Sequence, residues 1–161
     1  MNLLRFLMLL SLAVWIGALM FFPFVAQVAF TQLPSAHVSG LLVRDCLREL
    51  HWLGFISGAL FLAASITYGR IASGRAQLFR LSHVLIAAML ALTAISQFRI
   101  IPRMEALRVA AGEILSLATH DPLREQFNSL HAWSTRIEET VIVLGLIVLY
   151  AVSRRMASSH T

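Results

Sequence analysis

The sequence predicts an all-α integral membrane protein, a single domain over residues 1–161 folded as an up-down-up-down bundle of four helices. Of its residues, 58% are hydrophobic and 13% are charged, against about 45–50% and about 25% in soluble domains. A soluble chain this short could not bury so much apolar surface, so lipid must cover part of it. The apolar residues fall in four long stretches without strand-like alternation, which favours helices over a barrel.

The four predicted spans cover residues of about 3–28, 50–68, 81–98 and 137–153. Each approaches the roughly 20 residues that cross a hydrocarbon core of about 30 Å. The first stretch is longer than the core of a signal peptide, about 7–15 residues, so we expect it to stay in the protein as a helix. The fourth is the least regular, because Glu138 and Glu139 lie at its start.

The arginines predict the orientation. The connection between the second and third spans, residues 69–80, holds no acidic residue and contains Arg70, Arg75 and Arg80. The C-terminal tail opens with Arg154 and Arg155. By the positive-inside rule both segments face the cytoplasm, which places both termini there, and we expect a multi-pass protein of a bacterial inner membrane.

The two outer connections have helical patterns, so the helices should extend beyond the bilayer on the outer side. Apolar residues recur at helical spacing over residues 104–118, and Asp121–Pro122 is typical of a helix start. The second helix could begin near Ala36, since Pro34–Ser35 is the nearest break. We expect residues 104–118 and 122–136 to form an antiparallel helical hairpin that turns near residues 119–122.

Polar residues cluster at the outer boundary of the spans. His131, Ser134 and Glu138 share one helical face, and His51 shares a face with the Gly54–Gly58 pair, which permits close approach of a neighbouring backbone. The candidate ligand or ion site is therefore formed by His51, Arg99, His131, Ser134 and Glu138. The alternative is that these residues only anchor the helices at the interface. His83, at the inner end, is expected to face lipid headgroups.

Composition also narrows the function classes. Cys46 is the single cysteine, so the chain can form no internal disulfide and no Cys-rich metal site. Enzyme signature motifs are also missing from the sequence. We therefore expect a non-enzymatic protein without a cofactor. The alternative is a redox or metal-binding protein in which His51 and His131 hold haem, or imidazole and Met104 hold copper. The lipid bilayer is the expected partner, with a second copy or another membrane protein left open. Nucleic acid is not expected, because no basic tract is present.

Three short elements resemble the transmembrane-protein-205-like family of small four-helix membrane proteins, long labelled a domain of unknown function. They are residues 12–17, with Trp15 and Gly17, Ile101–Pro102, and residues 127–134, with Leu130, His131 and Ser134. The resemblance covers nearly the whole chain and implies a multi-pass membrane protein without an established reaction. The first helix is also similar to those of copper-resistance membrane domains.

Overall fold

The computed structural model describes residues 1–73 and 81–157, apart from the side chains of Ser73 and of residues 155–157. Throughout this part of the chain the regular structure is helical, which confirms the all-α class. The α-helices are α1 (Asn2–Gln32), α2 (Ala36–Ser73), α3 (Leu81–Ile95), α4 (Ile101–Ala111) and α5 (Pro122–Ala157). A π-helical turn, Ser96–Ile100, joins α3 to α4 without a break, so the five helices form four rods.

Three helical stretches are long and apolar enough to cross a membrane: Asn2–Gln32, Ala36–Ala72 and Leu81–Ala111. They contain the first three predicted spans. The fourth predicted span, within α5, is not among the candidates found in the described residues and stays a prediction. Of the arginines that predict the orientation, Arg75 and Arg80 lie outside the described residues, as does the side chain of Arg155.

The start of α5 is as predicted, but the helix before it is shorter than predicted. Asp121 caps α5, since the Leu123 backbone N–H donates to its Oδ1 at 2.8 Å. The expected helix over residues 104–118 is wrong beyond Ala111, where α4 ends. Gly112 follows with φ +67°, a conformation that glycine adopts without steric cost and that ends the helical path. Ile114 is still buried, in a short 3₁₀ turn.

Each rod packs against two neighbours. α1 contacts α2 and α5, and α3 contacts the same two helices. α1 and α2 are antiparallel, because Ser39 donates a hydrogen bond to the Ala29 carbonyl at one end and Arg5 donates to the Tyr68 hydroxyl at the other. Fully buried side chains fill the space between the rods, and the largest are Trp15, Phe61, Leu12, Ile86 and Met89.

Gly54 and Gly58 lie against side chains of α1 and α3. A Cβ on Gly54 would lie 2.6 Å from Nε1 of Trp15, and one on Gly58 would lie 2.7 Å from Cδ2 of Leu90. The buried indole of Trp15 therefore occupies the hollow that the two glycines leave on α2. This contact fixes the distance between α1 and α2 near the middle of the molecule.

Candidate functional site

A buried histidine joins three helical segments near the middle of their rods. The His51 side chain, on α2, is 1% exposed. Its Nδ1 lies 2.8 Å from Oε1 of Gln97 in the π-turn, and its Nε2 lies 2.8 Å from Oε1 of Glu138 on α5. The Glu138 side chain is 13% exposed. We call His51, Gln97 and Glu138 the buried triad.

The π-turn explains how two successive polar residues both point inward. Residues of an α-helix are about 100° apart around the axis, so neighbours in sequence usually diverge. In a π-turn one residue is added locally, which changes this spacing, and such turns often occur at functional sites. Here Ser96 and Gln97 are both buried, and the Oγ atoms of Ser96 and Ser134 lie 3.4 Å apart. The turn therefore adds a serine pair beside the triad.

The structure brings together only part of the predicted site. His51 and Glu138 are in contact, and Ser134 is buried on the same face of α5. Arg99 does not join them: its side chain is exposed, since it lies two residues after Gln97 and so on the other side of the helix. Gln97 was missed by the sequence analysis. Its signal was an amide within the apolar stretch of residues 81–98, where polar side chains are costly.

His131 lies apart from the triad, on the part of α5 that precedes the predicted span. The residue is exposed overall, but one face of its ring stacks on Phe127, with centroids 6.4 Å apart and planes 4° apart. The guanidinium of Arg108 lies over Phe127 as well, 5.1 Å from the ring centroid. The burial of part of the imidazole and then the charge of Arg108 lower the pKa of His131.

His83 is a second buried histidine, which corrects the expectation that it faces headgroups. Its Nε2 lies 2.9 Å from Oγ of Ser65 on α2, near the start of α3. The contact of His83 with Ser65 could not be predicted from the spacing of residues, because it depends on the antiparallel register of α2 and α3.

A separate charged cluster joins α2 to α4 at the surface. Arg44 on α2 pairs with Asp45 at 2.9 Å and with Glu105 on α4, and Arg108 lies 3.8 Å from Glu105. These side chains are partly or fully accessible, and such ion pairs contribute about 0–1 kcal/mol each. They tie α2 to α4 at the surface, whereas the buried triad removes an ionisable pair from solvent.

The comparisons place the chain in a family without assigning it an activity. Residues 10–113 match the family described as a domain of unknown function (DUF4149), and the chain belongs to that family. The matched segment includes His51 and Gln97 but ends before Glu138. No curated protein and no solved structure matches the chain. The resemblances to the transmembrane-protein-205-like family and to copper-resistance domains stay predictions.

Proposed function

We propose that the protein spans a bacterial inner membrane four times and binds a small cation at the buried triad. The observation that carries this proposal is the Glu138 carboxyl group, held 2.8 Å from an imidazole that is 1% exposed. An ionisable pair inside a membrane protein is costly, and such groups usually mark ion or proton sites. The site then acts by binding and releasing its cation, not by catalysing a reaction.

The surroundings of the triad support a position near the outer interface of the membrane. Trp52 and Phe98, each next in sequence to a member of the triad, are exposed, and their ring centroids lie 6.3 Å apart. Exposed aromatic residues of this kind concentrate where lipid meets water. In this arrangement residues 137–153 form the fourth span, both termini are cytoplasmic, and Glu138 enters the bilayer from the outer side.

The atoms around Glu138 favour a cation over other ligands. Glu138 supplies carboxylate oxygens, Gln97 an amide oxygen, and Ser134 a hydroxyl oxygen nearby, and oxygen atoms of these types bind small hard cations. Among the described residues, no arginine is hydrogen-bonded to Glu138 by its side chain, and Arg99 and Arg136 are exposed. A cation that enters the site would therefore supply the positive charge that balances Glu138, since no arginine side chain supplies it.

Haem or copper held by His51 and His131 is the less favoured alternative. Both ring nitrogens of His51 already face hydrogen-bonding partners, so a metal would have to displace Gln97 or Glu138. His131 stacks on Phe127 on the exposed part of α5. Within residues 1–73 and 81–157, no three His, Cys, Asp or Glu side chains are grouped as a metal site. The proposal therefore stays with a small cation.

The test is the effect of cations on unfolding of the purified full chain in detergent. A ligand that binds the folded state raises the unfolding midpoint, by about 2.7 kcal/mol in free energy at 100 times its Kd. We expect the unfolding midpoint of the wild type to shift when one of Na⁺, K⁺, Li⁺ or Ca²⁺ is added at constant ionic strength, or when the pH is changed. The shift should be lost in Glu138→Gln.

Glu139→Gln is the matched control, because Glu139 is the next residue of α5 and its side chain is exposed. It should keep the wild-type response. If no cation and no pH change separates the wild type from Glu138→Gln, the cation-binding proposal is wrong. Reporter fusions after residue 161 and within residues 69–80 test the topology separately, and an outer-side signal from either would overturn it.

A further inference from the structure

We infer that the bound cation is a proton, shared between Nε2 of His51 and Oε1 of Glu138. This inference rests on the proposed function, since it specifies which cation the buried triad holds. It follows from the number of hydrogen atoms that the contacts of the triad require.

Gln97 fixes one hydrogen of the imidazole. Its Oε1 faces Nδ1 of His51 at 2.8 Å, and an amide oxygen can only accept a hydrogen bond. Nδ1 must therefore carry a hydrogen and donate it to Gln97. A neutral imidazole has a single N–H, so in that state Nε2 directs a lone pair at Glu138.

The second contact then requires a proton of its own. Oε1 of an ionised carboxylate is also an acceptor, and two acceptors 2.8 Å apart do not form a hydrogen bond. With one added proton the pair is either imidazolium and carboxylate or imidazole and carboxylic acid. Both arrangements carry no net charge, which is the state that a buried site stabilises.

Loss of this proton leaves a carboxylate beside a lone pair, in a site that water reaches poorly. An unpaired buried charge costs several kcal/mol, so the released state must separate the two groups or admit water. In the release step the bond between the proton and the Nε2–Oε1 pair breaks, and the proton passes to solvent. The site loses one unit of positive charge per chain.

Other titratable groups do not take over this role in the part of the chain that the structure describes. α1 contributes none at this end, since Arg5 is its single charged residue and pairs with Tyr68 near the inner end. On the π-turn, α2, α4 and α5, the nearby charged residues are exposed, and they are Arg48, Glu49, Arg99, Arg103, Arg136 and Glu139. Arg44, Glu105 and Arg108 pair with one another further out, and His131 stacks on Phe127.

Nitrogen-15 NMR of the full chain, labelled at histidine and purified in detergent, tests the inference directly. His51→Gln identifies the signals of His51 among the six histidines. We expect Nδ1 to stay protonated while Nε2 changes its protonation or hydrogen bonding in one step as the pH rises. Glu138→Gln should abolish this step, because the amide of glutamine donates to Nε2 and cannot release a proton. Glu139→Gln should retain it.

Once the His51 signals are assigned, the wild-type titration can by itself overturn the inference. An unprotonated Nδ1 would mean that the Gln97 amide is reversed and that Nε2 carries the single hydrogen, with no shared proton. An unchanged step in Glu138→Gln would also overturn it. If Na⁺ but not pH stabilises the protein through Glu138, cation binding survives and the proton does not. If neither acts through Glu138, both proposals are wrong.

Discussion

The two buried histidines among the described residues lie in different electrostatic settings. His51, near the middle of α2, faces a carboxyl group on one side and an amide oxygen on the other. His83, near the start of α3, faces the hydroxyl of Ser65. A hydroxyl can donate a hydrogen bond to an imidazole or accept one from it without a change of net charge. A carboxylate and an imidazole can instead exchange a proton.

Under the proposed function, the comparison implies that burial does not by itself make a histidine an ion site. The contact between His83 and the hydroxyl of Ser65 needs no additional proton, because a hydroxyl can either donate or accept a hydrogen bond. The His51–Glu138 contact is satisfied in one protonation state of the pair. The carboxyl group of Glu138, and the π-turn that presents Gln97, thus account for the difference between the two ends.

The largest expected effect is the loss of His51. We expect His51→Leu to lower the free energy of unfolding by about 3–5 kcal/mol, because it leaves Glu138 without its buried partner. Adding Glu138→Leu should restore part of that loss, since the second change removes the unpaired carboxyl group. The measurement is a double-mutant cycle of denaturant unfolding in mixed micelles. If the free-energy costs of the two single changes add up to the cost of the double change, the two residues are not coupled.

The packing of Trp15 against α2 is tested at Gly54. We expect Gly54→Ala to cost about 1–3 kcal/mol, because the added methyl group would lie 2.6 Å from the buried indole of Trp15. Gly17→Ala is the control, since its Cβ would meet nothing within 4 Å. That change should be neutral or should stabilise α1 by up to about 1 kcal/mol. Equal effects of the two alanines on the unfolding midpoint would contradict the packing described for Trp15.

The inner histidine should be less sensitive than the outer one. Ser65→Ala removes the hydroxyl that faces His83, and we expect it to cost about 1 kcal/mol, the usual contribution of a neutral hydrogen bond. The loss should be the same on both sides of the pH step assigned to the triad. A Ser65→Ala effect as large as that of His51→Leu would remove the distinction between the two ends.

Helical periodicity in the sequence predicted most of the fold. Apolar stretches locate α1, α2 and α3, and Asp121 marks the start of α5, because both signals are local. Gly112 was overlooked as a helix end, since glycine is compatible with a helix and its positive φ depends on the turn that follows. The spacing of His51, Ser134 and Glu138 indicated which faces point inward, because side-chain direction is periodic in a helix.

What the sequence could not provide was the register between rods and the π-turn. Pairing of His83 with Ser65, and of His51 with Gln97, depends on how α2 and α3 are aligned, which many residues set together. The π-turn turns both Ser96 and Gln97 inward, which a regular 3.6-residue pattern does not predict. His131 was grouped with the triad because it shares the face of Ser134, although it lies at the exposed outer part of α5.

The smallest expected effect concerns His131, which contrasts with His51 in being exposed and in lying near a positive charge. Partial burial and Arg108 lower its pKa below the ordinary value of 6.5, so protonation of His131 disfavours the folded state. Its contribution to stability is therefore complete above about pH 6.5 and declines as the pH falls toward the lowered pKa. Arg108→Gln should raise the pKa of His131, because it removes the nearby positive charge and leaves the partial burial of the ring unchanged. Arg136→Gln, which removes an exposed charge stacked on Trp133, should leave it unchanged. The NMR titration of His131 in the two variants checks both statements, and equal values in Arg108→Gln and the wild type would show that burial alone sets the shift.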